Sequence, residues 1–168
     1  MVLITHLDDT GIISTEGKQI KAFKERLGER FAITENDMRE FIGINISRNR
    51  QGRTLALNQA IFVETILKKL NMSHLRGAAV PALPGITLSK QMSPTTDAER
   101  QEMSTKPYRL TVGSLNYLAL LTRPDILNAV RAVSRYMSDP GLEHWEAVKQ
   151  ICKYLMALTS LPLRCTAD

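Results

Sequence analysis

The sequence opens with M-V-L-I-T-H-L-D-D-T-G-I-I-S-T-E, residues 1–16. Two short apolar runs, residues 2–4 and 11–13, flank the acidic pair Asp8 and Asp9. Apolar runs separated by polar turn residues are typical of a β-hairpin, so this stretch predicts two strands joined by an acidic turn. Such a turn holds neighbouring carboxylates together, where they can bind a divalent cation. Aspartate is also common in solvated turns, because its side chain bonds the nearby backbone. Both interpretations stay open at this point.

The composition of the 168 residues, 43% hydrophobic and 23% charged, is that of a globular protein. It excludes a disordered tail and a fibre. No run approaches the roughly 18 apolar residues that a membrane helix requires, and the apolar start is too short for a signal peptide. We therefore expect an intracellular protein, cytoplasmic or nuclear, that is not secreted and does not bind membranes.

The net charge of +5 favours a polyanionic partner such as nucleic acid, although an ordinary solvated surface can also carry it. The cysteines, Cys152 and Cys165, are too few for a disulfide framework or a zinc cluster.

The first half continues with a basic helix and a second hairpin. Apolar residues spaced three or four apart predict an amphipathic helix whose stripe joins the core: Ile20, Phe23, Leu27 and Phe31. Lys21 and Lys24 lie on its polar face, which is either a solvated surface or a phosphate-binding one. Residues 40–59 alternate with period two around a basic tip at 48–53, which predicts a hairpin. Gly43 lies inside its first strand, where glycine marks either a bulge, which is the simpler interpretation, or a place where another backbone comes close. Residues 60–71 return to helical spacing.

The second half is helical. Residues 73–107 are rich in proline, glycine and serine, apart from a short helix that Thr96 and Glu99 can cap reciprocally. Further helices are expected near residues 115–121, after Pro124 and over 144–158. His144 has no evident catalytic neighbour, so we expect it to cap or pack. These changes in pattern predict three regions: 1–72, a connecting segment at 73–107, and 108–168.

Several short motifs occur in a fixed order through the second half: P-Y-R at 107–109, V-G-S-L-N-Y-L at 112–118, T-R-P-D-I at 122–126, S-R-Y-M at 134–137 and H-W-E-A-V-K at 144–149. This series resembles the later part of the reverse transcriptase of copia-type retrotransposons. F-I-G-I-N-I at 41–46 is similar to that family's Phe-Leu-Gly-Ile segment. The resemblance spans nearly the whole chain.

The resemblance implies an α+β fold: a truncated polymerase-palm remnant with two β-hairpins and amphipathic helices, followed by a helical thumb and connection region. Asp8 and Asp9 match the paired aspartates that hold Mg²⁺ for nucleotidyl transfer, and so they are the catalytic and metal-binding candidates. Phe41, Ile42, Gly43 and Ile44 match the segment that grips the primer end. With Lys21 and Lys24 they are the nucleic-acid-binding candidates, and the implied partner is an RNA/DNA primer–template.

Two departures from the family bear on activity. His6 stands where the family usually has tyrosine before the acidic pair. In the family, a further palm aspartate and the nucleotide-binding fingers lie upstream of the part that this sequence matches. We therefore expect a fragment of an RNA-directed DNA polymerase that binds Mg²⁺ weakly and is inactive alone, with the missing palm and fingers segment as a possible partner. The alternative is a non-catalytic nucleic-acid-binding or assembly module.

Overall fold

The computed structural model describes residues 1–7, 9–35, 38–72 and 76–166. It divides the chain into two units, residues 1–57 with the C-terminal segment from 164, and residues 58–163. The first unit contains the sheets and one helix, and the second contains the remaining helices. The fold is α+β, as expected.

The first unit begins with the predicted hairpin. Strands β1 (Val2–His6) and β2 (Asp9–Ile13) pair antiparallel, with Val2 opposite Ile13 and His6 opposite Asp9. Helix α1 (Gly17–Gly28) follows, with lysines on its exposed face as the sequence predicts. Together β1 and β2 form a separate two-stranded sheet.

A second sheet has the strand order β3-β4-β5-β6. Its strands are β3 (Glu40–Phe41), β4 (Ile44–Asn49), β5 (Thr54–Asn58) and β6 (Leu163–Thr166). The predicted hairpin with a basic tip is formed by β4 and β5. The prediction that Gly43 is a bulge within a strand is wrong: Phe41 pairs with Ile44, and Ile42 and Gly43 form the turn between them.

The first unit buries little apolar surface. Among the residues that the structure describes before Val63, no large apolar side chain is fully buried. The prediction that the stripe of α1 joins a core is therefore wrong: the helix has no buried residue, and Phe31, beyond its end, is 63% exposed. The β1–β2 sheet is also open, with Val2 58% and Ile13 50% exposed. A two-stranded sheet without a packed face is marginally stable in water.

The second unit has a dense core made by five helices: α2 (Ala60–Lys69), α3 (Asp97–Ser104), α4 (Tyr108–Leu121), α5 (Leu127–Ser134) and α6 (Leu142–Ala157). Single turns of 3-10 helix lie at Lys90–Met92 and Pro124–Ile126. Fully buried side chains interlock at the centre of the helices: Val63, Val112, Leu115, Leu118, Ile126, Val130, Val133, Val148, Ile151 and Leu155.

The helix boundaries follow from local chemistry. The side chain of Thr96 accepts a hydrogen bond from the Glu99 amide, and the Glu99 carboxylate accepts one from the Thr96 amide, which confirms the predicted reciprocal cap of α3. Pro124 begins the turn that leads into α5, where its fixed φ suits a first helical position. Within the described part of the chain, no helix is both long and apolar enough to cross a bilayer.

Candidate functional site

The acidic turn connects β1 and β2. Leu7 begins the turn with a φ of 51° and is 89% exposed. Asp9 follows as the first residue of β2 and is exposed, while Asp8 lies outside the described residues. The predicted site therefore lies beside the turn of a hairpin, where the Asp9 carboxylate can reach solvent.

Carboxylate oxygens suit Mg²⁺, which prefers six oxygen ligands in octahedral geometry and commonly keeps several of them as water. No group of three or more metal-binding side chains is found in the residues for which positions are described. The donor chemistry of this turn fits Mg²⁺, but the described residues supply only part of a coordination sphere.

The proposed primer-gripping segment forms the tight turn between β3 and β4. Ile42 has a φ of 52° and Gly43 a φ of 66°. Two successive residues with positive φ are typical of a type I′ hairpin turn, where Asn-Gly is usual. A β-branched residue rarely adopts this conformation, at a cost on the order of 1–3 kcal/mol. Such local strain is most frequent at functional sites.

The two candidate lysines of α1 are engaged in ion pairs. Lys21 lies 3.9 Å from Glu25, one helical turn further on. Lys24 lies 2.6 Å from Glu35, which is beyond the helix. Both pairs lie at the protein surface and are hence weak, but they offset part of the positive charge that the sequence assigns to this face.

Sequence reasoning missed a second exposed surface, on helix α4. We define the α4 face as Arg109, Leu110, Gly113, Asn116 and Leu120, all of which are exposed. Leu110 is 68% and Leu120 65% exposed, although the opposite side of the helix is buried. A Cβ atom added at Gly113 would meet nothing within 4 Å. The packing of this chain therefore does not require glycine there, and glycine inside a helix costs about 1 kcal/mol relative to alanine.

A polar cluster around the buried Arg123 holds the end of α4 in place. Arg123, only 3% exposed, forms an ion pair of 2.8 Å with Asp125 and donates a hydrogen bond of 2.9 Å to the Leu158 carbonyl. Tyr154 donates to the same carboxylate at 2.9 Å. Burial alone would raise the pKa of Asp125, but the hydrogen bonds from Arg123 and Tyr154 outweigh it and the pKa is lowered. These interactions connect the end of α4 to the end of α6, so the cluster has a structural role.

His144 and Cys152 also have structural roles. The fully buried His144 ring accepts a hydrogen bond from the Gly141 amide at Nδ1, and its Nε2 lies 3.1 Å from the Ser89 carbonyl. The predicted capping role is confirmed. Burial raises the pKa of the Cys152 thiol to about 12, so this group stays protonated and unreactive at neutral pH.

Comparisons with known proteins identify the family. A family model described as reverse transcriptase (RNA-dependent DNA polymerase) matches residues 1–84. The chain is 38% identical to the retrovirus-related Pol polyprotein from transposon TNT 1-94 of Nicotiana tabacum, over 95% of this chain and 12% of the polyprotein. It is 34% identical to the Pol polyprotein from transposon RE2 of Arabidopsis thaliana, over 91% of this chain and 10% of that protein.

A further relative is an uncharacterized mitochondrial protein of Arabidopsis thaliana, AtMg00810, which is 29% identical over 92% of this chain and 61% of its own length. No solved structure gives a significant match. The chain spans about a tenth of the two polyproteins. The order of its motifs, the α+β fold and these matches agree: the chain belongs to the reverse transcriptase family of copia-type retrotransposons.

Proposed function

We propose that this chain is the primer-gripping and thumb-side part of an RNA-directed DNA polymerase. It contributes Asp8 and Asp9 to a Mg²⁺ site, binds an RNA/DNA primer–template and is inactive alone. Residues 1–72 form the later part of the palm, 73–107 the connecting segment and 108–168 the thumb and connection region. We place this binding of nucleic acid in the cytoplasm or the nucleus.

The observation that carries the catalytic part is the acidic turn within the matched residues. Asp9 begins a paired strand and faces solvent, as a metal-binding carboxylate must before substrate arrives. Asp8 and Asp9 would hold the ion through their carboxylate oxygens. Bound Mg²⁺ supplies activation of the primer 3′-hydroxyl and stabilisation of the triphosphate charge.

The open β1–β2 sheet supports the proposal that the active enzyme needs a further palm strand. Val2, Leu3 and Ile4 are 58%, 43% and 43% exposed, so β1 offers apolar side chains with little to pack against within its unit. An added strand and the palm behind it would bury them and could bring a facing carboxylate. We assign this role to the palm and fingers segment of the same polymerase.

Two features support binding of a primer–template. The strained turn at Ile42 and Gly43 presents backbone at the end of a hairpin, in the segment that matches the primer grip. The α4 face combines Arg109 and Asn116 with exposed leucines around Gly113, where a partner can approach the helix backbone closely. A nucleic acid meets such a face with phosphates for the arginine and with sugar and base surfaces for the apolar side chains.

The test of nucleic-acid binding is its salt dependence. We expect the affinity for an RNA/DNA duplex to fall as salt rises, by roughly one unit of log–log slope for each phosphate contacted. Charge reversal by Lys21→Glu with Lys24→Glu should lower the slope, measured by fluorescence anisotropy. The matched control is Lys68→Glu with Lys90→Glu, which changes net charge equally in the helical unit. Undetectable binding, or equal slopes for both double variants, would contradict the assignment of α1.

The alternative function is a non-catalytic nucleic-acid-binding or assembly module. It is favoured by the α4 face, which does not depend on the acidic turn. A complementation assay distinguishes the two functions. If the chain is part of a polymerase, adding a palm and fingers segment should produce primer extension; if it is only a binding module, it should not.

A further inference from the structure

An open cavity of about 420 Å³ lies in the helical unit. The start of α4 forms one wall, and the turn after α5, which includes Met137, Ser138 and Asp139, forms another. Its volume is within the range of sites that bind small molecules, roughly 300–1,000 Å³. The walls carry three cations, Arg100, Lys106 and Arg109, and one acid, Asp139.

The acid is already engaged by one of the cations. Arg100 lies 3.4 Å from the Asp139 carboxylate and donates a hydrogen bond of 2.9 Å to the Pro94 carbonyl. Arg100 and Asp139 therefore balance each other in net charge. Two positive charges, on Lys106 and Arg109, remain on the walls.

Arg109 is held in place by neutral oxygens. Its Nε donates to the Met137 carbonyl at 2.7 Å, and its Nη2 lies 3.4 Å from the Ser138 carbonyl. Carbonyl groups orient the guanidinium without cancelling its charge, so an incoming anion meets a fixed cation. Arginine in a fixed orientation is well suited to bind phosphate oxygens through two donors.

Lys106 adds a mobile charge at the same wall. Its Nζ lies 4.0 Å from Glu102, at the limit of an ion pair, and the glutamate side chain is 55% exposed. A pair of this length at the surface is worth little, so the ammonium group can turn towards an anion at small cost.

We propose that this cavity binds a phosphate group through Arg109 and Lys106. The cavity is lined by residues of the helical unit and shares Arg109 with the α4 face, so this inference rests on the proposed nucleic-acid-binding function and adds Lys106 and a defined phosphate site to it. The phosphate can come from inorganic phosphate in solution or from the backbone of a nucleic acid. The chemistry at the two side chains is the same in both cases.

The experiment is a titration of the full chain, labelled with ¹⁵N, with sodium phosphate at constant ionic strength. We expect concentration-dependent shifts of the amides of Arg109, Leu110 and Ser138. Lys106→Gln should weaken the apparent affinity about threefold or more, as expected for loss of one partly exposed charge contact. Arg109→Lys keeps the charge but loses the paired donors, and it should weaken binding as well.

The matched control is Lys149→Gln, which removes a lysine of nearly equal exposure, 29% against 31% for Lys106, that is also paired with a glutamate three or four residues before it in the chain. It should leave phosphate binding unchanged. Equal affinity in Lys106→Gln and Lys149→Gln, or shifts spread evenly over basic residues, would overturn the proposal. A second arm replaces phosphate with a short oligothymidylate: shifts of the same amides at lower concentration identify the nucleic-acid backbone as the source, and their absence beside a positive phosphate arm identifies free phosphate.

Discussion

The His144 ring has a defined protonation state in the folded chain. Because Nδ1 accepts a hydrogen bond from the Gly141 amide, the proton of the neutral ring is on Nε2, which donates it to the Ser89 carbonyl. The ring also stacks on Tyr136 with centroids 4.0 Å apart. A second proton would have to sit on Nδ1, where it would face the Gly141 N–H and break the cap of α6.

This arrangement predicts a loss of stability in mild acid. Burial lowers the pKa of His144, although the Ser89 carbonyl and the acids Glu143 and Asp139 oppose that effect. The folded state therefore binds fewer protons than the unfolded chain, whose histidine pKa is near 6.5. The free energy of unfolding should therefore not depend on His144 protonation above pH 6.5. Below that pH it should fall, by at most about 1.4 kcal/mol per pH unit.

Urea unfolding between pH 7.5 and pH 5.5 measures the effect of His144. His144→Gln should flatten the dependence of the unfolding free energy on pH, while the control His6→Gln, at an exposed strand position, should keep it. A wild-type free energy of unfolding that rises towards pH 5.5 would contradict the neutral, cap-bonded ring.

Helix α4 has one buried side and one open side, and Gly113 lies on the open one. Gly113→Ala should stabilise the free chain by about 0.5–1 kcal/mol, because alanine has the higher helix propensity and the added methyl group meets nothing. The same change should weaken duplex binding, since the methyl group would hold a partner away from the backbone. Asn128→Ala, an exposed position on α5, is the control for propensity alone. Stronger or unchanged duplex binding by Gly113→Ala, measured by anisotropy, would remove the α4 face from the interface.

Elements with a continuous apolar stripe were predictable from the sequence. Helices α2, α4 and α6 each bury such a stripe, and the Thr96–Glu99 cap is a local signal that needs no tertiary information. The turn at Ile42 was not predictable, because isoleucine favours strands and rarely takes a positive φ. The Lys24–Glu35 pair joins a residue of α1 to a loop residue eleven positions further on, and spacing alone does not reveal it.

At the scale of the molecule, the two units differ in how fully they bury apolar surface. The helical unit contains every fully buried large apolar side chain among the described residues, from Val63 to Leu155. The sheet unit leaves Val2, Leu7 and Phe31 at 58%, 89% and 63% exposed. Composition could not reveal this difference, because apolar residues are common in both halves. This difference agrees with the proposal that residues 1–72 are part of a polymerase palm that packs against a further segment.

The central claim is that this chain is one part of a polymerase site that another segment completes. Primer extension tests it directly, with an annealed RNA template and DNA primer, Mg²⁺ and deoxynucleotides. The 168-residue chain alone should give no extension, and addition of a palm and fingers segment from a reverse transcriptase of the same family should produce it. Asp8→Asn in this chain should abolish the restored activity, whereas Lys149→Gln should not. Extension by the chain alone that Asp8→Asn removes, or no extension after the missing segment is added, would contradict the account.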